Sequence, residues 1–386
     1  MIVIVQTTQL AAFPPMISLM NVLRAIGEEF FYVGFDYAGQ AKLLDRLGFR
    51  YQLIPYRYYL FREHPLRNIM MKVLRPLAFY RRRKALWRIL NGVAAQDPDF
   101  VLWSCEMRGA ALLGDQALKF GRRHISTLFE LGDEAGRNWF GFDINRYYQS
   151  ATIVECEYNR AQILMAKRNL PRIPFVVPNK FYGQNTMRGQ LVADSAIQAL
   201  VDQWGSRKVF LYQGSVEPDR QDLAFMLETL CRNFPECVIA VMGRRSGFLD
   251  NLSRKYPNLS LIPFVSAPNH LAVTSHAHIG VAVYNASTFG GLSPLNAVYC
   301  APNKIYEYAG FGIPTLGNNN PGLVYSIEAC HAGECVREMR EEEIVIAARK
   351  ILNNYEQYSL AARTFFDAVD LPRLIRKILM SAREVK

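Results

Sequence analysis

The strongest constraint on this chain is a rhythm. Short apolar runs at 1–5, 29–34, 50–54, 99–103, 123–128, 152–155 and 173–177 recur at 208–213, 237–242, 259–263, 278–284, 313–317 and 334–336. Amphipathic stretches such as 15–27, 108–120, 157–167, 219–233 and 341–353 separate them. Runs this short, rich in Val, Ile, Leu and Phe, suit strands buried on both faces, and their alternation with helices predicts parallel sheets covered on both sides. The rhythm breaks over 178–205, where Pro, Gly, Asn and polar residues cluster. The expected architecture is α/β, with two similar doubly wound domains facing a central cleft: 1–183, then 184–354. The stretch 355–386 reads as helical with a break at Pro372, returning to the first domain. No short-period repeat is visible.

Composition excludes several classes. With 50% apolar and 20% charged residues among 386, the chain has ample core material and is not disordered. Seven cysteines without a CxxC pair suit reduced thiols better than a secreted disulfide framework. Met1–Val5 reads as a buried strand, not a signal peptide, and no run approaches the ~18 apolar residues of a spanning helix. The expected location is cytoplasmic, soluble or peripheral at the inner face of the membrane.

The net charge of +11 is concentrated. Between Arg57 and Arg88 lie ten basic residues and one acid, Glu63, so this segment carries +9 of it. Leu66, Ile69, Met70, Val73, Leu74 and Leu77 have helical spacing, and Leu86, Ile89, Leu90 and Val93 form a second apolar stripe. Pro76 between them should kink or split the helix. Tyr56, Tyr58, Tyr59, Phe61, Phe79, Tyr80 and Trp87 interleave aromatics suited to a membrane interface. The expectation for 57–88, within a basic amphipathic segment 57–95, is an anionic lipid surface rather than nucleic acid, against the plain alternative of a solvated helix face.

Three loops at the carboxyl ends of second-half strands carry chemical content. Gly214-Ser215 follows the strand 208–213, with Arg220 near the next helix. A glycine there lets the backbone approach a diphosphate, and a helix N-terminus favours the anion. Gly243-Arg244 follows 237–242, and Tyr284 ends 278–284. The run Ala301–Pro314 then offers Pro302 for a first helical turn, with Lys304 and Glu307 three apart on one face. Ile305, Tyr308 and Ala309 are left to pack inward. A cation and a carboxylate near a helix start match a nucleotide's phosphates and ribose diol; the plain alternative is a surface ion pair.

The run "APNKIYEYAGFGIP" resembles the donor motif of GT-B glycosyltransferases, especially bacterial family 4-like enzymes, in which P-x-K-x-x-E-Y precedes G-x-P. "VFLYQGSVEPDR" is similar to their first C-domain strand and phosphate loop, "CVIAVMG" to the second strand, and "PNLSLIPFVSAPNHLAVTSHAHIGVAVYN" to the base-binding region. "SATIVECEYNRAQILM" and "PFVVPNKF" resemble the last βαβ unit before the linker. The likeness covers most of 150–320 and is faint before 120. It implies a GT-B fold of two Rossmann-like domains, with Glu307 on the donor ribose and Lys304 and Arg220 on the diphosphate. Gly214 would face the same phosphates, and the Pro263–Val265 backbone, around Phe264, would hold the base; Ser215, Gly243, Arg244 and Tyr284, at the same sheet edge, complete the expected donor-binding set. Many relatives carry a second glutamate eight positions before the ribose-binding one; here that position is Tyr299.

Asp97-Pro98-Asp99 is set aside as a turn before a strand, and His276-x-His278 as lacking further ligands. No P-loop or GxGxxG string occurs. The expected activity is glycosyl transfer from a nucleotide-sugar donor to a saccharide or lipid-linked acceptor, without metal or other cofactor and with retention implied by the resemblance. An inverting enzyme would need a base, for which Glu130 and Asp133 are the candidates. The alternatives are a nucleotide-sugar epimerase on the same fold and an inactive scaffold.

Overall fold

The computed structural model describes residues 1–55, 67–131, 143–216, 221–285 and 294–384, without the side chains of 67–75. Arg220 and Asp133 lie outside the described residues, as does Leu66 of the first apolar stripe, and the side chains of its Ile69, Met70, Val73 and Leu74 are not described. The chain forms two compact units, 1–178 with 371–386, and 179–370.

The first unit is built on β1 (Ile2–Gln6), β2 (Phe30–Phe35), β3 (Tyr51–Ile54), β4 (Val101–Cys105), β5 (His124–Leu128), β6 (Thr152–Glu155) and β7 (Phe175–Val176). They form one sheet in the order β3-β2-β1-β4-β5-β6-β7, with every pair parallel. The second unit holds β8 (Val209–Gln213), β9 (Val238–Gly243), β10 (Leu259–Pro263), β11 (Ile279–Ala282), β12 (Thr315–Asn318) and β13 (Gly333–Val336). Their order is β10-β9-β8-β11-β12-β13, again parallel throughout. The strand order reverses between β1 and β4 in one sheet, and between β8 and β11 in the other. A parallel sheet opens a crevice at such a point, beyond the carboxyl ends of the strands.

Burial on both faces explains why the strands read as continuous apolar runs. Along β8, Phe210 and Tyr212 enter one core with Ile239, Val241, Ile279 and Val281. Val209 and Leu211 enter the opposite core with Val238, Ala240 and Met242. The last segment is two helices, Tyr355–Asp367 in the second unit and Leu371–Arg383 in the first. Their break falls before Pro372, which sits in the first turn of the later helix. Arg383 pairs with Glu28 of the first unit at 2.7 Å. All seven cysteines are unpaired, and only Cys330 is exposed.

The helix Arg67–Ala94 continues through Pro76 and is not split there. Its second half is anchored by Leu86, Leu90 and Val93, all buried in the first core. The arginines on it differ in role. The Arg83 guanidinium donates to Ala111 O at 2.8 Å and Leu112 O at 3.0 Å, capping the helix Glu106–Leu113 where Gly114 turns away with φ +65°. Arg82 lies over the Phe35 ring at 5.4 Å. Leu77, Tyr80, Arg81, Lys84 and Arg88 are exposed, and their spacing places them along one stripe. Among the described residues, no helix is long and apolar enough to cross a membrane.

Candidate functional site

The helix Asn303–Ala309 is locked over the β8–β11 switch point by Tyr308. Its hydroxyl donates at 2.9 Å to Leu211 O on β8 and lies 3.3 Å from Val281 O on β11. Room for the ring comes from Gly280, where a Cβ would fall 2.1 Å from Tyr308 Cδ2. With Ile305, Tyr308 and Ala309 buried, Lys304 and Glu307 are delivered to the sheet edge. Pro302 stands just before the first helical residue, one position earlier than a first-turn proline.

Lys304 meets the glycine turn. Its Nζ donates to the Tyr284 hydroxyl at 3.0 Å and lies 4.7 Å and 5.0 Å from the centres of the Tyr212 and Tyr284 rings. Burial pushes the Tyr284 phenol above its ordinary range, opposed by the Lys304 charge. Gly214, at φ +140°, occupies a conformation that favours glycine, and a Cβ there would sit 3.3 Å from Lys304 Nζ. Its N–H donates to Met242 O at 2.9 Å, extending the β8–β9 ladder past the end of the strand. Gly243 is required by the same turn, because its Cβ would fall 2.1 Å from Gly214 O. Ser215 O accepts from the Tyr212 hydroxyl at 3.3 Å. A compact cation beside a backbone that can be closely approached is a setting for a phosphate oxygen.

Glu307 is not a partner in a surface ion pair with Lys304. It is 4% exposed, and both carboxylate oxygens are engaged from within the unit. Oε1 meets His270 Nε2 at 3.0 Å, and Oε2 accepts from Gln213 Nε2. Gln213 Oε1 in turn accepts from Thr274 Oγ1 at 2.8 Å. Arg244 is exposed, and Phe264 is 67% exposed, so neither joins this network. Tyr299, in place of the second glutamate, is half-buried.

Gln213, His270 and Tyr212 were not legible as site residues. Gln213 leaves a faint trace, a polar residue closing an apolar strand just before a glycine. His270 leaves none, since its partner is 37 residues away.

The first unit's edge is acidic. Glu106, directly after β4, has φ +61°, and its Oε1 accepts from Phe129 N at 3.0 Å. Burial, then the charge of Glu130, pushes its carboxyl up to about 8. Glu130 itself is exposed, two residues past β5. Glu155, at the end of β6, pairs with Arg160 at 2.6 Å, the two side chains being 1% and 2% exposed. Burial raises Glu155 and Arg160 opposes that rise. Glu106 escaped the sequence reading because nothing local distinguishes it from a solvated helix start.

The signals set aside earlier are engaged structurally. Asp99 pairs with Arg123 at 2.7 Å, and Asp97 accepts from Asp99 N at 3.2 Å. His276 Nε2 meets Gln190 O at 2.8 Å, and His278 Nδ1 accepts from Val209 N at 3.2 Å. Among the described residues no three His, Cys, Asp or Glu side chains converge as metal ligands.

No family model and no curated protein matches the chain in sequence. Solved structures match it in fold. Anabaena HepE, in complex with UDP and glucose, is similar over 100% of this chain and 99% of its own, with a TM-score of 0.66 at 10% identity. A glycosyltransferase from Rickettsia africae is similar over 100% and 99%, with a TM-score of 0.64 at 12% identity. WaaG, a glycosyltransferase involved in lipopolysaccharide biosynthesis, is similar over 100% of both chains, with a TM-score of 0.60 at 12% identity. The chain therefore has the fold of the GT-B glycosyltransferases, two Rossmann-like units of parallel α/β structure.

Proposed function

We propose that this protein is a glycosyltransferase using a nucleoside-diphosphate sugar. The carrying observation is the convergence of Gly214, Gly243 and Lys304 at the β8–β11 switch point, in a fold whose neighbour HepE is described with UDP and glucose. The leaving diphosphate gains charge as the glycosidic bond breaks, and Lys304 would stabilise that charge without a metal ion. Glu307 would hold the donor ribose. Acceptor recognition would fall to the first unit, where Glu106 and Glu130 stand at the sheet edge. Retention is the reading that the family 4-like resemblance favours, and under inversion these two carboxyls are the bases to test.

Donor turnover by the purified protein, followed with and without EDTA, tests the reading. Turnover that is lost in EDTA and restored by manganese would overturn metal independence. The same carboxylates also favour a second reading, an epimerase, which would turn over donor with no acceptor added.

The acceptor in this reading is a saccharide or a lipid-linked saccharide presented at the inner face of the membrane. Its support is the exposed stripe of Leu77, Tyr80, Arg81, Lys84 and Arg88. Arg83 is excluded from that role by its packing. Replacing Arg81, Lys84 and Arg88 with Ser should weaken binding to phosphatidylglycerol vesicles by roughly two orders of magnitude, at about 1 kcal/mol per basic residue. Equal cosedimentation with neutral and anionic vesicles, or with neither, would return the stripe to a solvated helix face.

A further inference from the structure

We propose that His270, supported by Gln213, is a positioning residue that fixes Glu307 for the donor's ribose diol; the assignment rests on the reading of Glu307 given above. A glutamate at a binding edge ordinarily samples several rotamers. Here each carboxylate oxygen accepts one bond from a buried neighbour, Oε1 from His270 and Oε2 from Gln213. Each oxygen has two acceptor positions, so one remains on each. Two adjacent acceptor positions held at fixed separation are what a pair of vicinal hydroxyls requires.

The supporting groups are themselves fixed. Thr274 Oγ1 donates to Gln213 Oε1 at 2.8 Å, which turns the amide so that its Nε2 faces Glu307. His270 is 8% exposed, and its Nδ1 is buried with no hydrogen-bond partner. Nε2 is thus the ring nitrogen that engages Glu307.

Calorimetric titration of UDP, ADP, GDP and CDP into the full chain identifies the tightest diphosphate, which is then compared with its 2′,3′-dideoxy form. Glu307→Gln and His270→Ala should each weaken the ribose form about 10- to 100-fold, the range of a charge-assisted hydrogen bond. Both should leave the dideoxy form within about 2-fold of the parent. His270→Gln, whose amide N–H reaches the former Nε2 position, should recover binding to within about 5-fold. If His270→Ala does not fold, His270→Asn replaces it, since the shorter amide cannot reach and should bind as weakly.

Loss in Glu307→Gln with parent-like binding in His270→Ala would overturn the role of His270 and leave Glu307 standing. Equal weakening of the ribose and dideoxy forms by His270→Ala would also overturn it. Failure of His270→Gln to recover would do the same. Parent binding that ignores removal of the diol, or binds none of the four diphosphates, would overturn the reading of Glu307 and the inference with it.

Discussion

The two sheets share a strand order and a switch point but carry opposite chemistry at their carboxyl edges. At the β8–β11 edge a glycine turn lies against Lys304, and the one carboxylate of that network, Glu307, is held by His270 and Gln213. At the edge formed by β4, β5 and β6, carboxyls stand at all three strand ends, with Arg160 buried against one of them. Topology supplies a crevice in both cases, and the side chains at its rim decide what can enter. A diphosphate is stabilised by a cation beside an open backbone. A sugar hydroxyl, which can donate a proton, suits the acidic edge.

The largest expected effect lies at the cationic edge. Lys304→Ala should lower donor turnover by about 10² to 10³-fold, the range for removing a group that stabilises transition-state charge, and should weaken diphosphate binding far less. Steady-state rates beside calorimetric affinities check this. Glu106→Ala should leave diphosphate affinity within about 2-fold. An equal loss of affinity in both variants would break the division of labour between the edges.

Backbone room offers the next contrast. Gly243→Ala places a Cβ 2.1 Å from Gly214 O, so the turn must shift, at a cost of about 1–3 kcal/mol. Gly109, in the helix that opens the acidic edge, leaves ordinary space, with Val5 O at 3.5 Å. Gly109→Ala should therefore stabilise by roughly 0.5–1 kcal/mol through helix propensity. Thermal melts of the two variants should move in opposite directions.

Proton linkage sharpens the acidic edge. Glu106 titrates near 4.5 when unfolded and at about 8 in the folded chain, so between those values the native state binds the extra proton. Its contribution is fully present below the unfolded value and is lost as pH rises through the folded one. Denaturant titrations at about pH 5 and about pH 8.5 should show stability falling by on the order of 1–2 kcal/mol, after discounting for its partial exposure, and Glu106→Gln should flatten that fall. A parent and variant with parallel pH profiles would remove Glu106 from the set of perturbed carboxyls. The smallest contrast lies within the basic helix. Arg83→Ser should cost about 1–2 kcal/mol through the carbonyls it leaves uncapped, while Arg81→Ser should stay within about 0.5 kcal/mol.

Much of the architecture was present in the order of residues. The central strands, buried on both faces, must be apolar, and each of the thirteen apolar runs became a strand within a residue or two of its reading. Gly214 and the helix carrying Lys304 and Glu307 were likewise legible, because a turn needing an unusual φ and a helix start leave local marks. What the tertiary structure alone decided is which side chains meet. Gln213 lies 94 residues from Glu307, and His270 lies 37 away. The crossover order of the sheet makes them neighbours, and sequence separation carries no trace of that order. Arg82 and Arg83 look alike in a basic run, yet the rotation of their helix sends one over Phe35 and the other onto the end of the helix Glu106–Leu113. Local propensity writes elements into a sequence; the contacts between elements depend on how they pack, and only the folded chain fixes that.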